Sequence, residues 1–169
     1  GGSLVFGNGG NTSANYTIAA GANLAGFTPT GDPITIDSGN VHLDNSTLLS
    51  SQTIYFGGDA SQNLDPTLDI VGSQSLVVKA YATIKYPTGY YAYASINQST
   101  ADSSIWAGTI TMDGTSFALG AVAGGRLNVT GNIGDTGPLG LIKTGAGTVV
   151  LSSSTGNSYA LHDGTGGSY

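Results

Sequence analysis

The sequence predicts an all-β chain folded as a β-solenoid, with one or more loop or hairpin excursions. Three observations carry that expectation. All ten acidic residues are Asp and none is Glu; surface helices are built from Glu, Lys, Arg and Ala-Leu runs, whereas Asp, Asn, Gly and Thr belong to turns and strands. Short runs of alternating apolar and polar residues recur along the chain, each closed by Gly, Asn, Asp or Pro, which is the pattern of half-buried strands separated by turns. A β-sandwich would need hairpin dipeptides between its strands, yet Asn-Gly occurs only at Asn8-Gly9. Small strands that cannot bury their apolar side alone are instead expected to stack coil upon coil.

The runs follow in order. SLVFG from Ser3 and YTIAA from Tyr16 open the chain, followed by PITIDSG from Pro33, NVHLDNSTLL from Asn40 and QTIYFGG from Gln52. After them come TLDIVG from Thr67, the long SLVVKAYATIKY from Ser75, GTITMDG from Gly108, SFALGAV from Ser116, RLNVTGNI from Arg126 and GTVVLSS from Gly147. In each, alternate Leu, Ile or Val residues supply an inward face. Three stretches break the alternation. GFTPTGDP, residues 26–33, holds two prolines and two glycines, and SQNLDP, residues 61–66, resembles it as a corner loop. YATIKYPTGYYAY, residues 81–93, gathers Tyr81, Tyr86, Tyr90, Tyr91 and Tyr93 around the turn residues Pro87-Thr88-Gly89, which predicts a protruding excursion over residues 79–97.

At 169 residues the chain makes one domain, residues 1–169, and requires no second. Only 8% of residues are charged, against roughly 25% in an average soluble domain, so solubility rests on Ser, Thr, Asn and Gly. A net charge of −6, with Lys79, Lys85, Arg126 and Lys143 scattered, argues against nucleic acid as a partner. Absence of cysteine removes disulfides, thiolate metal sites and thiol nucleophiles together. The sequence contains no apolar run of membrane-spanning length, and no membrane insertion is expected. Gly1-Gly2-Ser3 is not a natural start, so the chain reads as a mature subunit or an excised part of a longer one.

SIWAGTITMDG from Ser104, GGRLNVTGNIGDTGPLG from Gly124 and above all LIKTGAGTVVLSSSTGNSY from Leu141 resemble the autotransporter-associated β-strand repeat of bacterial surface proteins, over residues 104–159. In the last run, Lys143-Thr144-Gly145-Ala146-Gly147-Thr148, Leu151-Ser152 and Asn157-Ser158-Tyr159 match the repeat pattern; after Tyr159 the usual Thr-Gly-Gly is replaced by ALHDGTGGSY. The resemblance implies a right-handed parallel β-helix, extracellular or displayed on a cell surface. Within it, Gly145 and Gly147 are expected to make a positive-φ corner, with Leu141, Val149 and Leu151 inward, Val150 outward and Lys143 solvated.

Candidate chemistry is sparse, and no enzyme activity, cofactor or metal is expected. The closely spaced carboxylates Asp32/Asp37, Asp59/Asp65 and Asp65/Asp69 have few basic residues to partner them and read as turn caps. His42, between Val41 and Leu43, reads as a solvent-facing rung, and His162 stands far from it. Trp106 reads as core. The tyrosines Tyr81, Tyr86, Tyr90, Tyr91 and Tyr93 are the candidate ligand-binding residues, since exposed aromatics stack on sugars or anchor interfaces, so glycans or cell surfaces are candidate partners. The foremost expected partner is another copy of the chain. Gly166-Gly167-Ser168-Tyr169 echoes Gly1-Gly2-Ser3-Leu4 as if one unit ran into the next, and an uncapped solenoid end templates further strands, so Gly1, Gly2, Ser3, Leu4, Val5 and Phe6 are expected to meet Gly166, Gly167, Ser168 and Tyr169 of another copy. The functional expectation is therefore an extracellular structural protein, a fibre or filament subunit assembling end to end, with a carbohydrate- or surface-binding adhesin as the alternative and a polysaccharide-degrading β-helix enzyme a more distant one.

Overall fold

A computed structural model describes residues 4–7, 14–22, 34–44, 50–57, 66–83, 94–113, 116–136 and 140–158. Among the described residues every regular element is a strand. In chain order these are β1 (Leu4–Phe6), β2 (Asn15–Ile18), β3 (Ile34–Ile36), β4 (Asn40–Asp44), β5 (Ser50–Phe56), β6 (Thr67–Val71), β7 (Ser75–Thr83) and β8 (Ala94–Gln98). They continue with β9 (Ser103–Trp106), β10 (Ile110–Asp113), β11 (Phe117–Ala121), β12 (Arg126–Val129), β13 (Ile133–Asp135), β14 (Leu141–Thr144) and β15 (Thr148–Leu151).

All pairings between these strands are parallel. One sheet runs β2-β4-β6-β8-β11-β14 and forms the first face of the coil. The other runs β1-β3-β5-β7 and divides at the long β7, because the end of that strand pairs with β10 and its start with β9. The β10-β13 branch extends the second face, and the β9-β12-β15 branch makes the third. Passing from β10 through β11 and β12 to β13, the chain visits all three faces and returns one rung higher. This is a β-solenoid, as the alternating runs predict.

Register follows from the alternation. Val41, Leu68, Ile96 and Leu119 stand opposite one another on successive rungs of the first face, and all are almost completely buried. Ile34, Ile54, Ala80, Ile110 and Ile133 form the equivalent column of the second face. A slip of one residue would turn each column to solvent, at about 1.5–3 kcal/mol for each large side chain exposed. Trp106 is fully buried, as expected, and Phe56 meets Phe117 edge-on at 5.3 Å across the core.

Coil length is not constant. Residues hydrogen-bonded between neighbouring coils lie 30 apart at Gln74 and Ser104 and 28 apart at Thr67 and Ser95, but 24 and 23 apart at Ser116/Gly140 and Asp113/Thr136. The short, regular coils coincide with the repeat-like segment. Of the excursion expected over residues 79–97, residues 79–83 and 94–97 are strand in the stack, and residues 84–93 lie outside the described residues. The loops expected at residues 26–33 and 61–66 also lie outside them, apart from Pro66.

The corner after β14 departs from expectation at one glycine. Gly145 has φ +67°, and a Cβ there would collide with the Ala121 carbonyl. Gly147 is not among the described positive-φ glycines. Its requirement is steric, because a Cβ would run into the Val122 and Gly125 carbonyls of the coil beneath. Lys143 is exposed as expected, its ammonium bonding back to the Gly145 carbonyl. Leu141, Val149 and Leu151 pack against the core but stay half-buried.

Candidate functional site

Strand alternation that buries one set of side chains delivers the other to the outer faces, and parallel stacking turns each outward position into a column. On the second face one such column reads Val5, Thr35, Tyr55, Tyr81, Thr111. Tyr55 lies between inward Ile54 and Phe56, and Tyr81 follows buried Ala80, so both rings must face outward. They meet edge to face, centroids 5.4 Å apart and planes at 71°, an arrangement aromatic pairs favour. The Tyr81 hydroxyl donates to Asp113 Oδ2 at 2.9 Å, and Thr136 Oγ1 donates to Asp113 Oδ1 at 2.8 Å. Asp113 thereby fixes the orientation of Tyr81 from the next rung. Around the rings lies a groove of about 330 Å³ lined by Thr53, Tyr55, Lys79, Tyr81, Thr109 and Thr111.

The first face carries a second outward column of Thr17, His42, Asp69, Asn97, Gly120 and Thr144. His42 Nδ1 lies 3.4 Å from Asp69 Oδ2, and Asn97 Nδ2 donates to Asp69 Oδ1 at 3.4 Å. Burial pushes the Asp69 carboxyl above the ordinary carboxylate value, while the attraction of His42 and the bond from Asn97 pull it back only in part. Gly120 contributes no side chain, and Thr144 Oγ1 reaches Asn97 Oδ1 at 3.5 Å across it. The neighbouring notch of about 380 Å³ is lined by Asp69, Asn97 and Thr144 among others.

His42 is an outward rung residue, as the sequence suggests. Asp69 differs from its expected role, because it sits in the middle of β6 in this ladder rather than capping a turn. Asp37 closes β3 on the second face, and burial raises its pKa as well. Asp32, Asp59, Asp65 and His162 lie outside the described residues. So do Tyr86, Tyr90, Tyr91 and Tyr93, which leaves Tyr81 as the described member of the tyrosine cluster. Tyr81 is joined by Tyr55, Lys79, Thr111 and Asp113, none of which sequence reading singled out. Outward parity at Tyr55 and Tyr81 was legible, but their adjacency depends on the coil length between them, and that length varies. Leu4, Val5 and Phe6 form β1 at one edge of the second face, whereas Gly1, Gly2, Ser3, Gly166, Gly167, Ser168 and Tyr169 lie outside the described residues.

Among the described residues, no group of three or more His, Asp or Glu side chains is placed to hold a metal ion, and no helix is long and apolar enough to cross a membrane. Fold and faces together define the class as a parallel β-solenoid with polar and aromatic outer columns. Compared with known proteins, the chain matches no family model, no curated protein and no solved structure. The likeness of residues 104–159 to autotransporter-associated repeats therefore rests on its own motifs.

Proposed function

We propose that the chain is an extracellular structural segment, part of a cell-surface fibre or filament in which copies associate end to end. One observation carries the reading. Among the described residues, the hydrophobic side chains that pack on the core yet remain half-buried are Leu4, Phe6, Tyr16 and Ala22 at one end of the stack and Leu141, Val149 and Leu151 at the other. Every interior rung has a covering coil on both sides, and its inward apolar residues are sealed. At the ends, β1 pairs with β3 and β15 with β12, and no further described strand covers either. Such edges carry backbone donors and acceptors open to strand addition. Stacking one copy on another would bury both apolar ends and extend the ladders, spaced about 4.8 Å. The repeat likeness and the charge-poor, Ser/Thr/Asn-rich composition fit a secreted surface protein.

The experiment is deletion of Gly1 to Phe6. Light scattering and electron microscopy should show assembly by the full chain and its loss in the truncated one, while circular dichroism reports that the central coils remain folded. Equal assembly by the truncated chain would exclude this end as the contact.

A further inference from the structure

The tyrosine groove of the second face is distinct from the ends and carries a reading of its own. We propose that it binds a pyranose unit of a neutral glycan, stacked on the face of Tyr55 with the inclined ring of Tyr81 as the side wall. A sugar ring offers an apolar C–H face and a rim of hydroxyls, and the groove presents the complementary pair: half-buried aromatic rings bordered by short polar side chains. Tyr81 is held by its bond to Asp113, itself held by Thr136, so the platform is ordered before a ligand arrives and little freedom is lost on binding.

Two features narrow the ligand. The groove, about 330 Å³, stands at the lower end of the roughly 300–1,000 Å³ of small-molecule sites, which suits one or two rings of a chain passing across the face. Charge selects a neutral sugar: Lys79 brings one ammonium to the groove lining, and a net charge of −6 repels a polyanion. Lys79, exposed at the edge of the groove, and the hydroxyls of Thr53, Thr109 and Thr111 then serve as hydrogen-bond partners for the sugar's rim.

The test is titration of the full chain with neutral hexasaccharides of glucose, mannose and galactose, and with hexagalacturonate as the acidic arm. Calorimetry would follow affinity, and amide chemical shifts would locate the site. Binding of at least one neutral hexasaccharide is expected, with shifts centred on Thr53, Lys79, Tyr81 and Thr111. Tyr55→Ala should weaken it about tenfold or more, while Ile105→Ser, at an exposed position of the third face, should leave it unchanged. Absence of binding by every neutral hexasaccharide, shifts centred elsewhere, or full affinity in a folded Tyr55→Ala protein would overturn the proposal. Preference for hexagalacturonate would overturn the neutral assignment. Shift mapping on the unmodified chain decides the matter even if Tyr55→Ala does not fold.

Discussion

At Gly145 the left-handed backbone and the Ala121 carbonyl below it leave no room for a side chain. Gly145→Val should therefore cost on the order of 1–3 kcal/mol from backbone strain alone, whereas the exposed Lys143→Ala should change stability by less than about 0.5 kcal/mol. Thermal melts of the two variants check this, and equal melting points would contradict the corner assignment. Asp69 gives a pH-dependent counterpart. Burial raises its native pKa above the ordinary 3.8, so the native state holds its proton more tightly than the unfolded chain does. Stability is then lost as pH rises from that value through the raised native one, and it stays lower above. Asp69→Asn should melt higher than the parent at neutral pH, with the difference closing as pH falls below the ordinary carboxylate value. Lys-Thr-Gly made the Gly145 corner legible in the sequence. Gly147 and Asp69 were legible only in part, because their roles depend on which carbonyl or side chain the adjacent coil places against them.

Strands with clean alternation, such as ITI in β3, TLDIV in β6 and ITMD in β10, could be read directly. The ASINQ strand β8 could not, because it turns a glutamine inward. Gln98 is fully buried, and its Nε2 donates to the Gly72 carbonyl at 3.0 Å and to Thr100 Oγ1 at 2.9 Å. Ser104, also fully buried, donates to the same Gly72 carbonyl at 3.1 Å and accepts from the Gln74 amide at 3.0 Å. Corner carbonyls fall outside the sheet ladders and need partners when buried, so these polar side chains do the joining that backbone pairing does on the faces. Gln98→Leu keeps the volume but removes both donated bonds, while the Gly72 carbonyl keeps its bond from Ser104 and Thr100 Oγ1 keeps its bond from the Gly72 amide. The expected loss is about 0.5–1.5 kcal/mol, measurable by urea unfolding, and an unchanged midpoint would mean that water replaces the amide at no cost. The outward tyrosine groove belongs to this scale too: parity was visible in QTIYF and KAYAT, whereas the register joining them was not.

Across the whole molecule, one continuous core runs along the stack and changes character only at its ends, where the sealed columns give way to half-buried Leu4, Phe6 and Tyr16 or Leu141, Val149 and Leu151. The register also sets exposed Lys143 opposite buried Leu119, so a charge occupies a core column at the last described rung of the first face. A charged side chain at such an edge position restrains strand addition. If copies stack through this end, Lys143→Leu should lower the concentration at which they assemble, and sedimentation velocity of the two proteins would measure it. The resemblance over residues 104–159 made the solenoid legible because those coils are short and regular, while the coils before them hid their period by varying, from 20 residues between paired Ile34 and Ile54 to 30 between Ala80 and Ile110. End-to-end stacking is tested most directly by cryo-electron microscopy of the full chain at increasing concentration. The account predicts unbranched filaments one solenoid wide, with strands stacked at about 4.8 Å along the axis and β1 of one copy joined to the β13–β15 end of the next. Single particles at every concentration, or copies joined through their outer faces, would contradict it.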